Sequence, residues 1–191
     1  MPSNEDTLII SNIINYVIKY KDSPYVLWTS EMEIPKTDGP PFWGVNLPLP
    51  DFEQVYNKGM CCAGLANILR RYQNLQIPGN IKGYETMDFS GGTNSWFHYL
   101  KITNRLENIN FQKYYPTGTL LIQDYNPKDQ GHIAITIDEN KILLESKIIH
   151  SINDKSSTRI YNSVVIETLK DYYNYKRHTH ICLPNNWLLK N

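Results

Sequence analysis

The sequence predicts an α+β fold, in which N-terminal helices pack on an antiparallel sheet. Apolar residues recur at helical spacing between Leu8 and Ile18 and again after Cys62. From Thr119 onward the pattern changes to alternation with period two, rich in β-branched residues, which is typical of strands. With 191 residues the chain is long enough to close one hydrophobic core, so we expect a single domain over residues 1–191.

The helices are predicted from their boundaries as well as their spacing. Ser3 and Asp6 resemble a capping box for the first helix, which should end before Pro24. A proline-dense stretch follows and predicts a long surface loop, part of an insertion at about 29–58 that can shape a binding site. The next helix should run from Cys62 to a point before Pro78, and a third should follow the Gly91-Gly92 pair and continue into Asn104.

The strands are predicted from alternation and from the turns that separate them. Asp138 to Lys141 reads as the turn of a hairpin. We expect three successive strands, at 119–124, 132–137 and 142–146. A further strand pair is expected at 163–167 or near 178–183.

Composition excludes several classes of function. Lys plus Arg equals Asp plus Glu, 19 each, so no basic field is available to bind nucleic acid or anionic lipid. Adjacent Cys61 and Cys62, with Cys182 left over, favour a cytoplasmic or other reducing compartment over a disulfide-stapled secreted domain. The acidic N-terminus and its interrupted apolar stretch predict neither a signal peptide nor a membrane span. Abundant Asn, Ile, Lys and Tyr are typical of A+T-rich coding, as in a parasite, a low-GC bacterium or a large DNA virus.

Cys62 and His132 form the candidate catalytic pair. A thiol at a helix start can be activated by unpaired amides and the helix dipole, which favour thiolate. His132 opens a predicted strand, where rigid backbone would hold a general base. Either residue alone has an ordinary explanation, a buried small hydrophobe or a core histidine. Together they favour nucleophilic catalysis.

The hairpin register suggests a third group. If Asp138 opposes Lys141, Glu145 lies on the same face as His132, one diagonal away, and its carboxylate could orient the imidazole. A solvated charge at a strand end explains Glu145 equally well. His98 and His150 have no predicted partner and are interpreted as surface or packing residues.

Four short motifs resemble, in order, those of the NlpC-like peptidases of the papain-like superfamily, which cut the peptide stems of bacterial cell walls. They are Pro24-Tyr25-Val26-Leu27-Trp28, Cys61-Cys62-Ala63-Gly64-Leu65, Gly118-Thr119-Leu120 and Gly131-His132-Ile133-Ala134-Ile135. The resemblance implies a papain-like fold with Cys62 as nucleophile, His132 as base, Glu145 near the third polar position and Tyr25 lining the substrate cleft. The chain departs from the family at Ala63, where serine is usual, and at Cys61, where aspartate is usual.

We therefore expect a cysteine peptidase or amidase that acts on a peptide or amide substrate, cell-wall fragments included, without a cofactor. Two alternatives stay open: an inactive binding module that uses Phe42 and Trp43 of the Pro-rich loop, and an acyltransferase or deacylase that works through a thioester. A zinc site could also be drawn from cysteine and histidine residues, but their spacing is unlike that of structural zinc sites, so we expect no metal. Its ligands would be Cys61, Cys62, His178 and His180.

Overall fold

The computed structural model describes most of the chain, over residues 4–26, 49–79, 81, 83, 91–123, 131–155, 160–172 and 174–189. Most of the predicted Pro-rich loop, with Phe42 and Trp43, lies outside the described residues, as do Ser3 and Trp28. No described helix is both long and apolar enough to cross a membrane.

The described helices include the three that the spacing predicts. They are α1 (Asn4–Ile18), α2 (Phe52–Lys58), α3 (Cys62–Tyr72), α4 (Thr93–Ile102) and the short α5 (Pro184–Trp187). Helix α2 lies inside the predicted insertion and was not expected. It begins there because the Asp51 side chain caps it, accepting the Gln54 N–H at 3.0 Å.

The strands form one six-stranded sheet, which confirms the α+β class. They are β1 (Glu107–Asn108), β2 (Leu120–Ile122), β3 (Ile133–Thr136), β4 (Lys147–Lys155), β5 (Ile160–Thr168) and β6 (His180–Cys182). Their order across the sheet is β1-β6-β2-β3-β4-β5, and every neighbouring pair is antiparallel. The second half of the chain therefore builds the sheet on which the earlier helices pack.

The predicted hairpin partner of β3 is wrong. Strand β3 pairs with β4, with Ile135 opposite Ile149, and not with residues 142–146. Leu143–Glu145 instead forms a 3₁₀ turn, and the Leu143 N–H donates to the Lys113 carbonyl. The true connection is closed by Asp138, whose Oδ1 accepts the Lys147 N–H at 2.8 Å.

Burial explains why β4 takes this place. Ile148 and Ile149 are both fully buried, one on each face of the sheet, so β4 contributes an apolar side chain to the layer on each side. Ile149 joins the core cluster that includes α1, α3 and α4. Ile148 joins a smaller cluster on the opposite face, together with Ala134 and Tyr172. The sheet thus separates two apolar layers.

Candidate active site

Helix α3 begins with an unusual cap. Cys61 is the N-cap residue, and its Sγ accepts the Gly64 N–H at 3.4 Å. Side-chain oxygens of Ser, Thr, Asp or Asn usually satisfy this N–H. A thiol therefore does the capping where the NlpC-like resemblance leads us to expect an aspartate.

The Cys62 thiol is surrounded by hydrogen-bond donors but is buried. Its Sγ lies 3.9 Å from Thr93 Oγ1, and the backbone N–H groups of Ile133, Ala63 and Cys62 also lower its pKa. Burial acts in the opposite direction and outweighs them, so the pKa of Cys62 is raised. The amides at the helix start thus act in the expected direction, but desolvation penalises the charged form more than the nearby donors stabilise it.

His132 is the first member of a buried chain of hydrogen bonds. Its Nε2 lies 2.9 Å from His150 Nδ1, and His150 Nε2 lies 3.0 Å from Glu167 Oε1. Burial is the main cause that lowers the pKa of His132 well below its usual value, and it lowers the pKa of His150 as well. Both imidazoles are therefore neutral near pH 7.

Two further rings complete this cluster. The Tyr172 and His178 rings each have their centroids 5.5 Å from that of His132. His178 Nδ1 lies 3.1 Å from the Tyr175 carbonyl, to which it donates, and burial lowers the pKa of His178 to about 3. Three neutral histidines are thus packed together on one side of the sheet.

The thiol and the His132 ring approach the sheet from different faces. Cys62 belongs to the cluster on the helix face, whereas the His132 ring packs against Tyr172 of the opposite cluster. Within the described residues no hydrogen bond joins the Cys62 thiol to the His132 ring. Both residues lie near the start of β3, since the backbone N–H of Ile133, the residue that follows His132, is among the groups that lower the pKa of Cys62.

Gly131 also brings the two parts together. Its φ is +78°, a conformation that favours glycine, and a Cβ added there would lie 2.7 Å from Thr93 Cγ2. Thr93 therefore packs directly on the residue before His132 while its hydroxyl contacts the Cys62 thiol.

Glu145 does not orient His132. It lies in the 3₁₀ turn, nearly half exposed, with its Oε2 2.7 Å from Lys170 Nζ. The position predicted for it failed with the hairpin register. The neighbour of His132 is His150, for which the sequence predicts no partner, and His150 is fully buried.

A sequence signal for His150 does exist. It stands two residues after Ile148 in a β-branched run, so a strand over 147–155 would place both on one face. A strand over 147–155 that pairs with the strand after His132, instead of a hairpin with residues 142–146, puts His150 on the same face of the sheet as His132.

Tyr25 lies near the thiols. Its N–H donates to the Asn162 carbonyl at 2.9 Å, and Tyr25 forms an isolated parallel bridge with Met60. Its phenol pKa is raised, first by burial and then by the charges that Cys62 and Cys61 would carry. The structure thus places Tyr25 beside the candidate nucleophile.

The residues of the alternative zinc site are dispersed. His178 belongs to the histidine cluster, whereas the His180 ring packs edge-on against Phe97 at 5.2 Å. In the described ranges, no three His, Cys, Asp or Glu side chains are placed to share a metal ion.

Comparison with protein-family models matched none of them to this chain, and comparison with curated protein sequences gave no match either. The NlpC-like resemblance therefore stays a prediction that rests on the order of four motifs.

Proposed function

We propose that this chain is a cysteine hydrolase of amide bonds, a peptidase or amidase that works with Cys62 and His132. One observation carries the proposal: a buried imidazole, held by a second histidine and a carboxylate, follows Gly131, on which Thr93 packs while the Thr93 hydroxyl lies 3.9 Å from the Cys62 sulfur. Cys–His pairs with a third orienting group are a recurrent solution for acyl transfer.

The roles follow from the neutral resting state of both groups. The proposal requires the His132 ring to come within hydrogen-bond reach of the thiol in the substrate complex. As the thiol then attacks a substrate carbonyl, His132 takes its proton, and the carbon–sulfur bond forms while the carbonyl π electrons move to oxygen. Backbone N–H groups at the start of α3, including that of Cys62, would hold this oxyanion. His132 then gives the proton to the leaving amine, and water, activated by the same imidazole, hydrolyses the thioester.

The substrate class we propose is a peptide or another amide, with cell-wall peptide fragments as the first group to test. The same chemistry serves thioester transfer, so the substrate panel includes acylated peptides and isopeptides. Wild type should cleave a member of the panel, and Cys62→Ala should not.

Thiol labelling tests the pair without a known substrate. At neutral pH, iodoacetamide should modify Cys62 faster than Cys182, a buried thiol whose pKa is raised to about 12. His132→Ala should slow Cys62 labelling by roughly 100-fold, the lower end of general-base effects, and leave Cys182 labelling unchanged. Peptide mass spectrometry measures both rates in one sample, so Cys182 serves as the internal control.

A second candidate is an inactive binding module on the same scaffold. It is favoured by the raised pKa of Cys62 and by the lack of a hydrogen bond between the thiol and the His132 ring. Under this candidate, Cys62 labels as slowly as Cys182, His132→Ala changes neither rate, and Cys62→Ala binds the fragments as tightly as wild type. That set of results would overturn the hydrolase proposal.

A further inference from the structure

Glu167 is the last group in the buried chain that starts at His132. It lies on β5, directly opposite Ile148 in the register with β4, and its side chain is 10% exposed. His150 stands between the two, fully buried, with one ring nitrogen on each partner. The sheet therefore sets the order His132, His150, Glu167 across three neighbouring segments.

Hydrogen-bond chemistry fixes the protons along this chain. A carboxylate only accepts, so His150 Nε2 must carry a hydrogen and donate it to Glu167. In a neutral imidazole the other nitrogen then has a lone pair, so His150 Nδ1 accepts from His132 Nε2–H. By the same rule His132 Nδ1 keeps a lone pair. A general base needs such an unprotonated nitrogen to take a proton.

We propose that Glu167 is a positioning residue that fixes the tautomers of His150 and His132, so that His132 presents an unprotonated Nδ1. The link to catalysis rests on the function proposed above, whereas the tautomers can be measured in the protein without any substrate. Glu167 touches no reacting atom and acts entirely through His150.

Charge gives the carboxylate a second role that a neutral acceptor would not fill. When His132 takes a proton, the resulting cation faces His150, His178 and Arg177, all of which lower its pKa. Glu167 raises the pKa of His150 through both a hydrogen bond and its charge, against the effect of burial. The protonated His132 ring is connected to this negative charge by the two hydrogen bonds of the chain, from His132 to His150 and from His150 to Glu167, which a charge at either end polarises.

Nitrogen-15 NMR of histidine side chains tests the tautomers in the full chain. The chain has five histidines, so single His→Gln variants assign the signals. In wild type at neutral pH, both His132 and His150 should be Nε2–H tautomers. Glu167→Gln should mix the tautomers, because an amide can either accept or donate, and should slow Cys62 labelling by roughly 10- to 100-fold, as is typical for lost orienting partners.

Two controls separate positioning from general structural damage. Glu167→Asp keeps the carboxylate and should restore the Nε2–H tautomers at least in part. Glu53→Gln removes an exposed carboxylate in the first turn of α2 and should change neither readout. Amide spectra of each variant report whether the fold is retained.

Each outcome decides the proposal. Wild-type signals that place the His150 hydrogen on Nδ1, or tautomers that stay the same in Glu167→Gln, overturn the role of Glu167. If instead the tautomers shift as expected but His132→Ala leaves Cys62 labelling unchanged, the positioning role stands and the hydrolase proposal fails.

Discussion

Mild acid should destabilise this protein through its buried histidines. In the folded state the pKa of His178 falls from its ordinary 6.5 to about 3, because the ring is buried and lies near His150. In the unfolded chain the ring is solvated and titrates at its ordinary value. Below that value the unfolded state binds a proton that the folded state does not bind. The free energy of unfolding must therefore fall as the pH falls.

The size of the effect follows from these two values. Between about pH 7.5 and 5.5 the unfolded His178 becomes largely protonated while the folded one stays neutral, which costs about 1.4 kcal/mol. The loss continues towards pH 3, where the folded ring also takes up a proton. The lowered pKa values of His132 and His150 act in the same direction. The free energy of unfolding of the whole protein should therefore fall by more than His178 alone accounts for.

Urea unfolding at the two pH values measures this loss, with the fluorescence of buried Trp96 and Trp187 as the probe. His178→Asn keeps a donor for the Tyr175 carbonyl but removes the titrating ring. The variant should be less stable overall, yet its difference between the two pH values should be about 1.4 kcal/mol smaller than that of wild type. Tyr172→Phe disturbs the same cluster without removing a histidine and should keep the wild-type difference.

The reasoning is refuted if wild type is equally stable at both pH values, or if His178→Asn loses as much stability between them as wild type does. The first result would mean that the cluster is hydrated enough to accept protons. The second would place the acid sensitivity in other groups.

Substitutions at two residues probe the ends of helix α3. Cys61→Ala should lower the free energy of unfolding by about 1 kcal/mol, because the Gly64 N–H loses its N-cap acceptor. Cys61→Ser keeps an acceptor and should retain most of that stability. Equal losses for the two variants in urea unfolding would mean that the thiol does not cap the helix. At the other end, Arg70 is buried and donates to the carbonyls of Gln76 and Trp187. Arg70→Met leaves both acceptors unpaired and should lower the free energy of unfolding by roughly 3 kcal/mol. A loss below about 1 kcal/mol in urea unfolding would show that water replaces the guanidinium.

The helices were predictable because their signals are local. The apolar spacing of α1 and α3 lies within each segment, and the Gly91-Gly92 pair comes directly before α4. The pairing of β3 was not predictable in the same way. The choice between residues 142–146 and Lys147–Lys155 depends on burial against both apolar layers, which involves residues distant in sequence.

The same distinction applies to the site. Cys62 and His132 carry recognisable local contexts, a helix start and a strand start, and both lie near the beginning of β3 in the structure. The expected role of Glu145, to orient the His132 imidazole, depends on the predicted hairpin register. Because that register is wrong, the predicted role is wrong as well. His150 and Glu167 lie on strands β4 and β5, and only the sheet order brings their side chains into line behind His132.

The thiol cap bears on the raised pKa of Cys62, the proposed nucleophile. An aspartate at position 61 would cap α3 well, but its negative charge would stand beside Cys62 and oppose formation of a thiolate. The neutral Cys61 thiol satisfies the Gly64 N–H without adding that charge to a site where burial already raises the pKa of Cys62. In a site as dry as this one, the neutral cap therefore keeps the cost of the transient thiolate lower than an acidic cap would.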